Sequence, residues 1–216
     1  MRSSHHTLSF IVPFLNEASN LPRLLSALDQ FARTAAQARN LEVDVIFVDD
    51  GSSDGGRDVI TACVCTNLIR PKVRLVRLSR NFGKEIALSV GLKAAASDAV
   101  VLMDADLQHP VALVEQFLDG WLNDGYDVVY AYKQTNEDEA TLRRLGRRLY
   151  YRMVNSNAGP EIPLNAGDFR LLSRRAYEAL RELPERQRLM ECRVRHGAHD
   201  TEQPKVDEHD GRKEQT

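Results

Sequence analysis

The chain has 216 residues, enough for one sizeable core, and its 43% hydrophobic and 28% charged content is that of a soluble globular protein. A formal net charge of -2 gives no electrostatic case for nucleic acid, whose binders carry a basic surplus, so no nucleic-acid partner is expected. The three cysteines, Cys63, Cys65 and Cys192, form no disulfide framework and point to a reducing cytosol, so a cytoplasmic location is expected.

Residues 1–6 are polar and read as a flexible N-terminus rather than a signal peptide. Residues 8–13 (L-S-F-I-V-P) form a short apolar run and predict a buried strand. From Asn20 to Ala38, Leu21, Leu24, Leu25, Leu28 and Phe31 recur at helical spacing. Residues 44–48 predict a second strand, which ends at Asp49, Asp50 and Gly51; Asp54 then suits the cap of a following helix. The Cys63-x-Cys65 pair falls in that helix and lacks a second ligand pair, so it reads as structural.

Residues 73–78 predict a third strand, Lys84 to Ala96 a helix, and residues 99–103 a fourth strand ending at Asp104. Pro110 suits the first turn of a helix running to about Asn123, and residues 127–131 predict a fifth strand. Residues 137–155 form a basic helical stretch in which Arg143, Arg144, Arg147, Arg148 and Arg152 alternate with Leu142, Leu145, Leu149 and Tyr150. Two readings stand for it: a solvated helix face, or a surface that makes peripheral contact with anionic lipid. Residues 167–173 (G-D-F-R-L-L-S) precede a short helix from Arg174 to about Leu183. Beyond Met190 large apolar residues almost vanish, so residues 191–216 are expected to be a disordered polar tail behind one domain over 7–190. No run of about 18 apolar residues occurs, so no transmembrane helix is expected.

Strands alternating with helices in this rhythm predict an α/β fold, a mostly parallel sheet between two helical layers. Polar residues gather just past the strand ends: Asn16 and Glu17, Asp49 and Asp50, Arg80 and Asn81, Asp104 and Asp106. In open α/β sheets ligands bind at that edge. Asp104 and Asp106, spaced i, i+2 beyond an apolar strand, can turn toward one point. Two carboxylates plus substrate phosphates are what Mg²⁺ or Mn²⁺ takes, and the ion would neutralise a diphosphate leaving group. A carboxylate of the Asp49–Asp50 pair can accept a hydrogen bond from a base N–H.

Taken in order, V-P-x-x-N-E at 12–17, V-D-D-G-S-x-D at 48–54, L-S-R-N-F-G-K-E at 78–85, D-A-D-L-Q at 104–108 and G-D-F-R-L at 167–171 resemble the family 2 glycosyltransferases over about residues 7 to 190. The branch they resemble is the polyprenyl-phosphate glycosyltransferases, similar to dolichol-phosphate mannosyltransferase and the bactoprenol glucosyltransferases. The resemblance implies a GT-A fold, a UDP- or GDP-linked sugar donor, Mg²⁺ or Mn²⁺, a polyprenyl phosphate acceptor and inversion at the anomeric carbon. By resemblance, Pro13, Leu15, Glu17, Val48 and Asp50 belong to the nucleoside pocket, and Asp104, Ala105, Asp106 and Gln108 to the metal and diphosphate, with Lys84 beside the donor. Asp104, Asp106 and Gln108 are the implied metal ligands; Asp106 and Asp168 are the implied catalytic acids, Asp168 near the acceptor phosphate.

The sequence departs from the family pattern in three places. Lys133 stands where an arginine contacts the donor, which keeps the charge without the bidentate fork. After residues 185–190 the resemblance stops, as in a chain truncated near Glu191, and the two terminal transmembrane helices of membrane-bound relatives are not encoded. Transfer to a protein, glycan or small acceptor, and a weakly active nucleotide-sugar binding module, remain the alternative readings.

Overall fold

The computed structural model describes residues 6–66, 68–132 and 166–182. Lys133, the basic stretch 137–155, residues 185–190, Cys192 and the polar tail 191–216 lie outside the described residues. The elements in chain order are β1 (His6–Phe14), α1 (Leu21–Phe31), β2 (Leu41–Asp49), α2 (Gly56–Thr66), β3 (Lys72–Arg77), α3 (Lys84–Ala94), β4 (Ala99–Leu102), α4 (Val114–Leu122), β5 (Val128–Tyr132), β6 (Ala166–Ser173) and α5 (Arg174–Glu182). A π-helical turn, Ala32–Ala36, extends α1, and a 3₁₀ turn, Val111–Leu113, leads into α4. Pro110 is extended (φ -63°, ψ 132°) and sits just before that turn rather than inside it.

The six strands form one sheet in the order β3-β2-β1-β4-β6-β5. The β1–β2, β1–β4 and β2–β3 pairs are parallel; β6 runs antiparallel to both β4 and β5. The predicted mostly parallel αβα sandwich is therefore present, with one strand inserted against the grain.

Side-chain alternation explains the two cores. Along β1, Leu8, Phe10, Val12 and Phe14 face the side covered by α1, α2 and α4, while Ile11 faces the side covered by α3 and α5. Val45 and Phe47 follow the first face and Ile46 and Val48 the second; Val101 and Leu102 repeat the pattern on β4. Burial on both faces is why these strands read as unbroken apolar runs. On α1, Leu21, Leu24, Leu25, Leu28 and Phe31 all point into the first core, as their spacing predicts. Gly91 on α3 marks a close helix–sheet approach: a Cβ there would stand 2.3 Å from Ile11 Cγ2. Cys63 and Cys65 are free thiols on α2.

Candidate functional site

The parallel register brings the carboxyl ends of four strands together, since Phe14 pairs with Asp49 and Asp49 with Arg77, while β4 ends beside β1. The loops leaving those ends are tied to each other. Asn16 has a left-handed backbone (φ 58°), which its short polar side chain tolerates, and its Oδ1 accepts hydrogen bonds from the N–H groups of Ser53 (2.9 Å) and Asp54 (3.3 Å). The Asn16 N–H donates in turn to Ser52 Oγ at 3.0 Å, and the Ala18 N–H to Asp54 Oδ2 at 2.8 Å. Asp54 also accepts from the N–H of Gly56, the first residue of α2, at 2.9 Å, from one position before the cap site at Gly55.

The two adjacent acids at the end of β2 have different surroundings. Asp49 is fully buried; the Ser52 N–H donates to it at 2.7 Å and Arg57 Nε at 2.8 Å. Burial pushes its carboxyl up, but the Ser52 and Arg57 hydrogen bonds and the Arg57 charge outweigh that and hold it below the usual carboxylate range. Asp50 reaches the neighbouring loop, where the N–H groups of Phe82 and Gly83 donate to its two oxygens at 2.8 and 2.9 Å. Gly51 makes that approach feasible: at φ +82°, a Cβ would meet the Arg80 carbonyl carbon at 2.6 Å and the Asn81 nitrogen at 2.7 Å.

Asp50 thus fixes the start of α3, and Lys84, the first residue of that helix, extends across the cleft to Asp104. Its ammonium lies 2.6 Å from Asp104 Oδ1 and 2.8 Å from Oδ2. Beyond Asp104 the backbone turns sharply at Leu107 (φ 59°), and the Gln108 N–H donates to Asp106 Oδ1 at 3.1 Å. The antiparallel β4–β6 ladder ends with Leu102 paired to Arg170, so Asp104, two residues past β4, and Asp168, two residues before Arg170 on β6, both lie at the same end of the pair. The Asp168 backbone belongs to β6, although its side chain lies outside the described residues. His109 stacks flat on Phe169, the next residue of β6, with ring centroids 5.1 Å apart.

Between these loops lies a cleft of about 390 Å³ lined by Pro13, Phe14, Leu15, Glu17, Asp50, Asn81, Gly83, Lys84, Asp104, Ala105 and Asp106. The residues assigned by resemblance to the nucleoside and diphosphate therefore share one cavity, with three exceptions. Val48 is fully buried on the α3 side of the sheet and does not line it; Gln108 is exposed and outside its lining; Lys133 is not among the described residues. Phe14 and Gly83 join the lining without a role assigned from the sequence, and so does Asn81, which the sequence places at this edge only as a strand-end polar residue. A larger groove of about 470 Å³ between α1 and α2 is mostly apolar, and its only charged lining residue, Asp29, is engaged by Arg33 and the Arg70 N–H.

The cleft's donor set bears on the implied metal. Among the described residues no three His, Cys, Asp or Glu side chains converge as a metal cage. Four carboxylates, Glu17, Asp50, Asp104 and Asp106, line the cleft, the last two from one loop, and the lining holds no thiol or imidazole. That set fits a hard divalent ion completing its shell with phosphate and water, and does not fit a structural zinc site.

The model of glycosyl transferase family 2 matches residues 9–181. The chain belongs to that family. Among its relatives, an uncharacterized glycosyltransferase of Synechocystis is 38% identical over 185 residues, covering 85% of this chain and 55% of that protein. A bactoprenol glucosyl transferase of Shigella phage SfV is 34% identical over 183 residues, covering 85% and 57%. The chain thus spans a little over half the length of these curated relatives.

Solved structures agree on the fold. A Pyrobaculum calidifontis mannosyltransferase in complex with GDP-mannose and Mn²⁺ superposes with a TM-score of 0.59 at 21% identity, over 84% of this chain and 48% of that one. Glucosyl-3-phosphoglycerate synthase of Mycobacterium tuberculosis, in complex with UDP, gives 0.55 at 22% identity over 83% and 60%. This family 2 member accordingly has the GT-A fold expected from its motifs, and no helix among its described residues is long and apolar enough to cross a membrane.

Proposed function

We propose that the chain transfers a sugar from a UDP- or GDP-linked donor to a polyprenyl phosphate, with inversion and with help from Mg²⁺ or Mn²⁺. The observation that carries the proposal is the convergence of Asp50, Lys84, Asp104 and Asp106 on one cleft at the carboxyl edge of a parallel sheet. Its 34% identity to bactoprenol glucosyl transferases supports the lipid acceptor.

In this reading Pro13, Leu15 and Glu17 flank the base and ribose, and Asp50 accepts a base N–H while bracing the loop beneath it. Val48 supports Asp50 from below rather than touching the nucleoside. Lys84 and Lys133 meet the diphosphate. Asp104, Ala105, Asp106 and Gln108 form the metal and diphosphate loop, with Asp104 and Asp106 as carboxylate ligands and Gln108 as a third. The divalent ion supplies charge neutralisation on the departing nucleoside diphosphate.

The acceptor phosphate oxygen attacks the anomeric carbon from the face opposite the diphosphate, forming one C–O bond as the other breaks. A phosphate monoester is already anionic at neutral pH, so Asp168 positions the acceptor instead of removing a proton. The acceptor is a membrane lipid, and we assign the arginines of residues 137–155 to peripheral contact with an anionic membrane surface. The test is incubation of the purified chain with radiolabelled UDP-glucose or GDP-mannose, Mn²⁺ and undecaprenyl phosphate in detergent. Label in the lipid fraction is expected. Calorimetric binding of UDP or GDP without any such label would reduce the chain to a nucleotide-sugar binding module, and neither binding nor label would reject the reading.

A further inference from the structure

We propose that Lys84 occupies the cation face of Asp104 until a diphosphate draws it away, so that nucleotide and divalent ion bind with positive coupling. The inference rests on the glycosyl-transfer reading above and adds an order to the events in the cleft.

The Lys84 ammonium lies across both Asp104 oxygens, at 2.6 and 2.8 Å. That is the face a chelated divalent ion would use, and an ammonium and a metal ion cannot share it. The contact is reached from a fixed base: Asp50 holds the Phe82 and Gly83 N–H groups, and Ala87 and Leu88 bury the next turn of α3 in the core. Only the four-carbon lysine stem has freedom to move. Both partners are 39% exposed, so the pair is open to exchange with solutes in the cleft.

Two consequences follow. A divalent ion arriving alone must displace a bound cation from Asp104, one of the two carboxylates of the Asp104-x-Asp106 loop, which weakens its binding. A nucleoside diphosphate offers Lys84 a more highly charged anion, vacates Asp104 for the metal and supplies further metal ligands. Linkage then requires the ion to strengthen nucleotide binding by the same factor.

The test compares the parent chain with Lys84→Met, titrated with Mn²⁺ alone at low salt and followed by the electron paramagnetic resonance signal of the free ion. Lys84→Met should bind Mn²⁺ about tenfold more tightly than the parent. The gain should vanish in Lys84→Met/Asp104→Asn, which ties it to this carboxylate. Repeating the titrations with UDP or GDP should show a smaller rise in Mn²⁺ affinity for Lys84→Met than for the parent. Thermal melts establish that each variant is folded. Mn²⁺ affinity in Lys84→Met that is no higher than the parent's, including no measurable binding by either, would overturn the proposal, as would a gain that survives Asp104→Asn. Whether the parent binds UDP or GDP at all is read in the same series and judges the glycosyl-transfer reading separately.

Discussion

The two edges of the sheet carry carboxylates in similar places and employ them differently. At the amino edge, Asp98 accepts the Thr7 N–H at 2.9 Å and the Thr7 hydroxyl at 2.8 Å and pairs with Arg174, while Asp127 accepts the Ser173 hydroxyl and pairs with Arg175. The Tyr177 hydroxyl donates to the Ser97 carbonyl at 2.6 Å on the same edge. Each of these contacts staples one strand or helix to another. At the carboxyl edge the roles are graded along the cleft. Asp49 is enclosed by Ser52 and Arg57, Asp50 is shared between a loop and the cleft, and Asp104 and Asp106 line the cleft. A carboxylate held by backbone N–H groups and short side chains is committed to the fold. One held by the end of a lysine remains available to a ligand.

The largest effects should separate those two kinds of carboxylate. Asp49→Ala removes a buried acceptor and leaves the Ser52 N–H and Arg57 without their partner, so the chain should lose about 3 kcal/mol of stability in urea denaturation. Asp106→Asn should do the reverse. It keeps the shape and one oxygen, so the unfolding midpoint should hardly move, while metal-dependent affinity for UDP or GDP falls about 100-fold, or about 2.7 kcal/mol. Calorimetry with and without Mn²⁺ reads the second effect. An Asp106→Asn chain that binds as tightly as the parent would remove Asp106 from the site.

Asp50→Ala tests the intermediate case and should show both losses at smaller size. The Phe82 N–H loses its acceptor and the Gly83 N–H keeps only Asn81 Oδ1, for about 1 to 2 kcal/mol of stability, and nucleotide affinity drops about tenfold. If stability alone changes, Asp50 belongs with Asp49, and the base pocket must lie elsewhere. The family resemblance singled out Asp50, but the residue pattern alone did not distinguish these neighbours. Successive residues of a strand point to opposite sides, so an adjacent pair of acids always divides between two environments, and which one is enclosed depends on Arg57, eight residues away.

Other parts of the molecule were more legible. β1, β2 and β4 are covered on both faces and therefore stand out as apolar runs, and the polar residues past their ends lie at the edge of the sheet where the cleft opens. The insertion of β6 between β4 and β5 was not legible, because an apolar run carries no sign of its direction or neighbours. Its consequence for the site, that the β6 segment carrying Asp168 lies beside the end of β4, needed the pairing itself. Asn16 falls in the polar cluster and in the V-P-x-x-N-E motif, but neither foretells its left-handed backbone or its ties to the serines past the next strand. The Lys84–Asp104 contact joins residues twenty positions apart, and it depends on where α3 packs rather than on any local pattern.

The smallest effect belongs to the amino edge, and its pH dependence separates it from the rest. Burial pushes the Asp98 carboxyl up, but the Thr7 hydroxyl, the Thr7 N–H and the Arg174 charge together bring it below the usual carboxylate range. A folded-state value below the unfolded one means that this group stabilises the fold fully above about pH 4 and loses that contribution as pH falls through the folded value. Asp98 is 40% exposed and Arg174 48%, so solvent screening keeps the ionic part small. Asp98→Asn retains one oxygen for Thr7 and loses only the charge. Its cost should be under about 1 kcal/mol at pH 7, and the unfolding midpoints of parent and variant should converge as the pH is lowered to about 3. Asp49 has the same sign, but Asp49→Ala also opens a buried gap, so its deficit should persist in acid. A difference for Asp98→Asn that stays constant from pH 7 to pH 3 would show that shape rather than charge joins Thr7 to β4.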